Sequence, residues 1–167
     1  MVHINVLESP IGALTLAAHE RRVCVLHFGS DDQAVRRALQ RWYPNEVIEE
    51  DEDPGGARAR LDAYFAGDLD ALDAVEVELN GTTFQKQVWT ALRTVRAGTT
   101  AAYAEIARAI SAPSAIRAVG AANGANPVAI IVPCHRIIGT NGSLTGYGGG
   151  IDRKRWLLEH EGMRLRL

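Results

Sequence analysis

The chain has 167 residues, 47% of them hydrophobic and 23% charged, enough to bury a core in one domain or two small ones. Its two cysteines, Cys24 and Cys134, share no CxxC spacing, which excludes a disulfide framework and a four-cysteine zinc site, and no stretch approaches the length of a membrane span. The net charge of -2 conceals a division: residues 1–80 carry 7 Lys/Arg against 16 Asp/Glu, whereas residues 81–167 carry 11 against 4, so -9 in the first part meets +7 in the second. Such asymmetry points to a polyanion-binding second half. The N-terminus has no basic segment followed by an apolar one, so a cytoplasmic protein is expected.

In chain order, Val2-Ile4-Val6 alternates, Ser9-Pro10-Ile11-Gly12 is a turn, and Leu14-Leu16 and Val23-Val25 alternate again, which predicts an antiparallel meander. Ser30 is placed to cap a helix from about Asp31 to Trp42, stopped by Pro44. Gly55-Gly56 precedes a second helix with Leu61, Tyr64 and Phe65 on its apolar face, and Val75-Val77-Leu79 reads as a last strand. Turn chemistry and the charge change coincide at Asn80-Gly81, so the expected domains are 1–80 and 81–167.

From Thr82 the pattern becomes helical: Phe84, Val88, Trp89 and Leu92 are spaced on one face, and Gly98 ends the run. Thr100 can cap a helix carrying Tyr103, Ile106, Ala107 and Ile110. After Ser111-Ala112-Pro113, Ser114 can cap a second helix over 115–122, closed by Asn123-Gly124. Two helices joined by a tight turn in a basic half predict a helix-turn-helix. The second presents Arg117, Ala118, Gly120 and Ala121, small residues with a single long cation, a surface suited to close approach to the minor groove rather than to reading base edges. A final helix, capped by Asp152, carries Arg153-Lys154-Arg155, then Trp156, Leu157 and Leu158 as core, and Glu161, which in isolation reads as a solvated charge.

The sharpest feature lies in Ile130-Ile131-Val132-Pro133-Cys134-His135-Arg136-Ile137-Ile138, where a run that should be buried is interrupted by a thiol, an imidazole and a guanidinium. A lone cysteine is usually an inert small core residue. Here the polar neighbours would be costly inside a core without a purpose, and cationic or proton-accepting groups beside a thiol favour the thiolate, which is the nucleophile. The glycine-rich Gly146-Tyr147-Gly148-Gly149-Gly150 allows backbone to approach a ligand, but it matches neither the dinucleotide nor the P-loop pattern.

Pro133-Cys134-His135-Arg136, then Gly146-Tyr147-Gly148-Gly149-Gly150, then Trp156-Leu157-Leu158-Glu159-His160-Glu161-Gly162 resembles the O6-alkylguanine-DNA alkyltransferases. Upstream, Phe84-Gln85, Trp89, Tyr103, Arg117-Ala118-Val119-Gly120 and Asn126-Pro127 fall in the family's order. The likeness is strong over residues 82–162; over 1–80 it is one of pattern only. Two departures stand out: Arg96 where relatives commonly have Pro, and Gly148 where some have Ser, so only a backbone amide remains there to contact a base.

The resemblance implies an α/β, ribonuclease-H-like N-terminal domain of antiparallel strands with helices, and a mainly α C-terminal domain with a winged-helix-like helix-turn-helix. It implies a monomer acting on double-stranded DNA that contains O6-alkylguanine, and also O4-alkylthymine, with no cofactor. The lesion would be turned out of the stack into a pocket, with Arg117 filling the gap and Ala118, Gly120, Ala121, Arg136 and Tyr103 also on DNA. Cys134 would take the alkyl group once and for all. Tyr103 would protonate the departing base, His135 would act through a bridging water with Glu161 orienting it, and Asn126 would fix the turn. Val132, Pro133, Tyr147, Gly148 and Gly149 would line the pocket. Two other readings compete. A Cys-His hydrolase would need direct His-to-sulfur reach and an oxyanion hole, and a non-reacting lesion sensor would lack the cysteine. Cys24, His27, His3 and His19 match no zinc signature, and no metal is expected.

Overall fold

The computed structural model describes residues 1–144 and 146–165. The chain divides into two compact units, Met1–Asn80 with Pro127–Ile131, and Gly81–Asn126 with Val132–Leu167.

In the first unit β1 (Val2–Leu7), β2 (Leu14–His19) and β3 (Arg22–Phe28) form the antiparallel meander that their alternation predicts. The hairpin between β1 and β2 closes through Ser9, whose backbone carbonyl accepts from Gly12 N at 3.1 Å and whose hydroxyl accepts from Ile11 N at 3.2 Å. The β2–β3 link has only Glu20 and Arg21, both left-handed (φ 50° and 68°), a primed-type turn made without the usual Asn-Gly. The residues that flank it, His19 and Arg22, are both held by Glu78, at 2.6 and 3.1 Å. A short strand that the alternation did not announce, β4 (Ile48–Glu50), joins β1 in parallel, and the sheet order is β3-β2-β1-β4.

Helix α1 (Asp32–Trp42) buries Val35 and Leu39, one turn apart, against Val2, Ile4, Ala17, Cys24 and Val25. Its cap is Asp31, not Ser30: the Asp31 carboxylate accepts from Gln33 N and Ala34 N, and an anion also complements the helix dipole there. Helix α2 (Ala57–Phe65) buries Leu61 and Tyr64. The strand expected over Val75–Leu79 reduces to one parallel bridge, Val77 with Val23. The segment Pro127–Ile131 also belongs to this unit: Leu26 N donates to Pro127 O at 2.9 Å and Ala129 N donates to Leu26 O at 3.0 Å. Ile130 lies within it in the left-handed region (φ 70°), a strained conformation for a β-branched residue.

In the second unit α3 (Thr83–Leu92) opens with a capping box: Gln85 N donates to Thr82 Oγ1 at 3.1 Å while Thr82 N donates to Gln85 Oε1 at 2.9 Å. Gly81 is obligatory beside it, because a Cβ would fall 2.6 Å from the Trp89 ring and 2.7 Å from Gln85 Oε1. Trp89, fully buried, donates its indole N–H to Ala122 O at 2.7 Å, which ties α3 to α5 (Ile116–Gly124). Between them, β5 (Ala101–Ala102) pairs in parallel with β6 (Ile137–Ile138) and leads into α4 (Tyr103–Ala109). Thr100, Ser114 and Asp152 do not cap their helices; Ala102, Ala115 and Gly150 take the cap positions. The last helix, α6 (Ile151–His160), buries Leu157 and Leu158, whereas Trp156, expected in the core, is only half-buried and stacks on His160 with ring centroids 4.8 Å apart. No described helix is long and apolar enough to cross a membrane.

Candidate active site

The turn that carries Cys134 is built within the second unit by a short 3₁₀ helix, Cys134–Arg136, that follows Pro133. The apolar run of Ile130–Ile138 is thus not continuous strand but bends into this tighter turn at its polar interruption. Two donors converge on one carbonyl to set it: Asn126 Nδ2 and Cys134 N each reach Val132 O at 2.8 Å. Arg136 N closes the turn on Pro133 O at 3.0 Å, and Asn123 Nδ2, on α5, points at Cys134 O from 3.5 Å. Three residues per turn send successive side chains in different directions, so Cys134, His135 and Arg136 address three surroundings.

Cys134 is buried. Burial pushes its thiol up, while side-chain hydrogen bonds from Asn126 and Tyr147 and the charge of Lys154 pull it back. The ring of His135 is fully buried, and its Nε2 lies 2.9 Å from Glu161 Oε2. Its Nδ1 has no partner among the described residues. Because an ionised carboxylate only accepts, Glu161 selects the tautomer with the proton on Nε2, leaving a lone pair on Nδ1. Burial lowers the His135 pKa foremost, Glu161 opposes that shift, and Arg136 and Lys154 add to it.

Glu161 caps the C-terminus of α6 and is buried, where an isolated carboxylate would be raised by desolvation. The hydrogen bonds from His135 and Arg136 win, and its pKa falls well below the ordinary carboxylate value. Arg136, expected on DNA, is instead buried. Its Nε donates to Glu161 Oε1 at 2.8 Å, its Nη2 to Glu161 Oε2 at 2.9 Å and its Nη1 to Val95 O at 2.6 Å. The guanidinium is thus engaged inside the unit on both sides, which corrects its assignment to the DNA surface.

Lys154 has no solvent exposure and donates to Ile137 O at 2.5 Å. It was hidden in the sequence as the middle of Arg153-Lys154-Arg155, yet it precedes Leu157, Leu158 and Glu161 by three, four and seven residues, so one helical face carries all four.

On α5 the exposed residues are Ile116, Arg117, Ala118, Ala121 and Gly124, while Val119, Ala122 and Asn123 are buried. Gly120 sits against Tyr103, whose ring would lie 3.8 Å from a Cβ there, so the first residue of α4 and the small-residue helix are neighbours. Val132 and Pro133 are buried behind the turn, Tyr147 and Gly149 are half-buried and Gly148 is exposed. Cys134, His135, Glu161, Asn126 and Tyr147 therefore come together, and Tyr103 with Gly120 and Arg117 forms a second grouping on α4 and α5.

In the first unit His19, Glu20 and Glu46 bring ligand atoms within 4.8 Å of one another. Glu20 and Glu46 are both taken up by the Met1 ammonium, and His19 by Glu78. Cys24, His27, His3 and His19 form no such grouping among the described residues; His3 pairs with Asp51 at 3.5 Å and Cys24 Sγ donates to Ala17 O at 3.6 Å.

Comparison with known proteins gives concordant matches over both units. The family model for the 6-O-methylguanine DNA methyltransferase DNA-binding domain matches residues 83–163, and that for the same family's ribonuclease-like domain matches residues 2–79. A Methylated-DNA--protein-cysteine methyltransferase of Mycobacterium tuberculosis is 52% identical over 167 residues, covering 98% of this chain and 94% of that one. Its namesake in Salmonella typhimurium is 43% identical over 162 residues, covering 95% of each. A crystal structure of Mycobacterium tuberculosis OGT in complex with DNA superposes with a TM-score of 0.77 at 49% identity, covering 95% of this chain and 92% of that chain.

Proposed function

The chain belongs to the 6-O-methylguanine DNA methyltransferase family, and we propose that it repairs DNA by direct reversal, moving the alkyl group of O6-alkylguanine in duplex DNA onto Cys134 in a single turnover. The observation that carries this reading is a buried thiol next to an imidazole whose Nε2 is fixed by a buried carboxylate and whose Nδ1 is left to accept a proton. The thiol proton passes to His135 Nδ1 through a water molecule, since His135 and Cys134 make no direct hydrogen bond among the described residues. The thiolate attacks the alkyl carbon, the new S–C bond forms as the C–O6 bond breaks, and its electron pair stays with guanine. Tyr103 donates a proton to the departing base. A thioether has no leaving group that this set of side chains could activate, so the protein is consumed. O4-alkylthymine offers the same alkyl–oxygen bond and is read as a second substrate.

The C-terminal unit supplies DNA handling in this proposal. Helices α4 and α5 are read as a helix-turn-helix, with the exposed stripe of Arg117, Ala118 and Ala121 against the minor groove and Arg117 in the gap left by the flipped nucleotide. Gly120 lets Tyr103 lie close to that helix. Tyr147 and the Gly148 amide close over the base, with Gly149, Val132 and Pro133 forming the rest of the pocket. The first unit is read as a supporting domain, and the protein as a monomer on DNA.

Incubation with duplex DNA containing O6-methylguanine, followed by intact mass measurement, is expected to show one added methyl, located to the Cys134 peptide. Lesion binding without mass gain would replace transfer by sensing, and continued turnover would exclude a suicide reaction. Arg117→Ala is expected to slow duplex repair much more than reaction with free O6-alkylguanine base. Equal losses on both would remove the flipping role from Arg117.

A further inference from the structure

Arg136 lies next to the reacting residues, is buried, and engages all three guanidinium nitrogens within the unit. It donates to Glu161 Oε1 and shares Oε2 with His135, through contacts of 2.8 and 2.9 Å that form the parallel fork by which arginine binds a carboxylate. Its remaining arm is anchored on Val95 O at 2.6 Å, so neither the guanidinium nor the carboxylate is able to swing. One carboxylate thus serves two donors, and the charge it carries is already matched by Arg136 before His135 takes any proton.

We propose that Arg136 is a positioning residue of the alkyl-transfer reaction: by holding and neutralising Glu161, it keeps the His135 imidazole neutral, with its proton on Nε2 and Nδ1 open as the base. The proposal rests on the reading of Cys134 as the nucleophile. The charged groups that reach His135 are Glu161 at the end of α6, Lys154 nearer its start, and Arg136 beside it in the chain. With imidazole neutral, the Glu161–Arg136 pair is balanced. A protonated His135 would add an uncompensated positive charge to a fully buried site that also holds Lys154, which burial and both cations oppose. Removing Arg136 leaves Glu161 to attract that proton, so the imidazolium forms more readily and the neutral base is regained only at higher pH.

The test is the pH dependence of Cys134 alkylation by free O6-alkylguanine base, which leaves DNA binding out of the readout. Arg136→Met is expected to move the acid limb of the rate profile upward by about one pH unit or more, the signature of a changed charge balance at a base. The rate should be at least tenfold down on the acid side and recover toward wild type as pH rises. Arg136→Lys, which keeps the charge but not the fork, is expected to keep the limb near its wild-type position with a slower plateau. A uniform loss at every pH would make Arg136 a structural residue, and a loss confined to duplex substrate would return it to the DNA surface; either outcome overturns the proposal. Should Arg136→Met fail to fold, nitrogen NMR of wild-type His135 at pH 7 decides: a neutral ring protonated on Nε2 is expected, and an imidazolium or an Nδ1–H tautomer overturns the proposal. Methyl transfer to wild-type Cys134, read by mass, is independent of all these outcomes.

Discussion

Each unit of the molecule holds a buried cysteine with a histidine, a glutamate and an arginine close by, yet the two groupings have opposite chemical character. In the first, Glu78 binds His19, Arg22 and the hydroxyl of Tyr43, which donates at 2.5 Å, and the Tyr43 ring stacks on His19 with centroids 4.1 Å apart. Cys24 lies beside this network with the negative charge of Glu78 facing it. Burial and that charge outweigh a hydrogen bond from Tyr43 and push the thiol up to about 12. In the second, Glu161 is bound by His135 and Arg136, and burial raises the Cys134 thiol as it raises Cys24, but Asn126, Tyr147 and Lys154 all pull it back toward the thiolate. The difference teaches that residue types alone do not distinguish the two thiols; the sign of the charge that reaches each sulfur does.

The largest effect should come from exchanging the two sulfurs. Cys134→Ser is expected to abolish methyl gain while retaining duplex affinity, because a serine hydroxyl provides no comparable anion at neutral pH, whereas Cys24→Ser should leave the extent of transfer unchanged. In the folded protein iodoacetamide should spare Cys24 at pH 8, and rapid labelling of Cys24 would break the contrast.

The two glutamates give the next effect. Glu161→Gln uncouples a fully buried ion pair and is expected to destabilise by about 3–5 kcal/mol and to slow transfer at least a hundredfold. Glu78→Gln, at a partly exposed site, should cost only about 1 kcal/mol and leave transfer intact. Both carboxylates have folded pKa values lowered from 4.5. Their contribution is therefore fully present above the unfolded value and is lost as pH falls below it toward the folded values. Denaturant midpoints measured from pH 6 down to pH 3 should fall for wild type and fall less for Glu161→Gln; parallel curves would show that Glu161 is not the group responsible.

An effect smaller than that of Glu161→Gln concerns the product. A methyl group added to the closely packed Cys134 site is expected to lower stability by about 1–3 kcal/mol, read as a lower melting temperature, whereas the same measurement on Cys24→Ser protein should show the same decrement upon methylation. An unchanged melting temperature would indicate room around the sulfur.

Much of this contrast was legible in the sequence and some was not, for physical reasons. The alternation of Val2-Ile4 and the spacing of Leu61 and Tyr64 mark their buried faces because one local period decides them. Strand β4 escaped because Ile48-Glu49-Glu50 is short and polar at an edge, and its pairing with β1 is decided from outside the segment. Cys134 and His135 stood out as polar interruptions of an apolar run. Arg136, in the same run, and Glu161, an isolated charge late in a helix, carry no local mark of burial; each is buried because the other is, across 25 residues of chain. Lys154 was masked by its charged neighbours, although the helical face it shares with Leu157 and Leu158 was there to be read.

The five residues Pro127–Ile131, which complete the first unit although the second unit lies on both sides of them in sequence, give that unit a long-range closure. Leu26 is made early in synthesis, and its backbone partners at Pro127 and Ala129 emerge about a hundred residues later. A chain that stops short of them lacks the two backbone hydrogen bonds that Leu26 makes to this segment. Closing so long a loop is slow and entropically costly, and the segment that closes it leads directly into Cys134. A truncated chain ending at Asn80 should therefore expose the edge that this segment covers, and a nascent chain should become resistant to proteolysis only after residue 131 has left the ribosome.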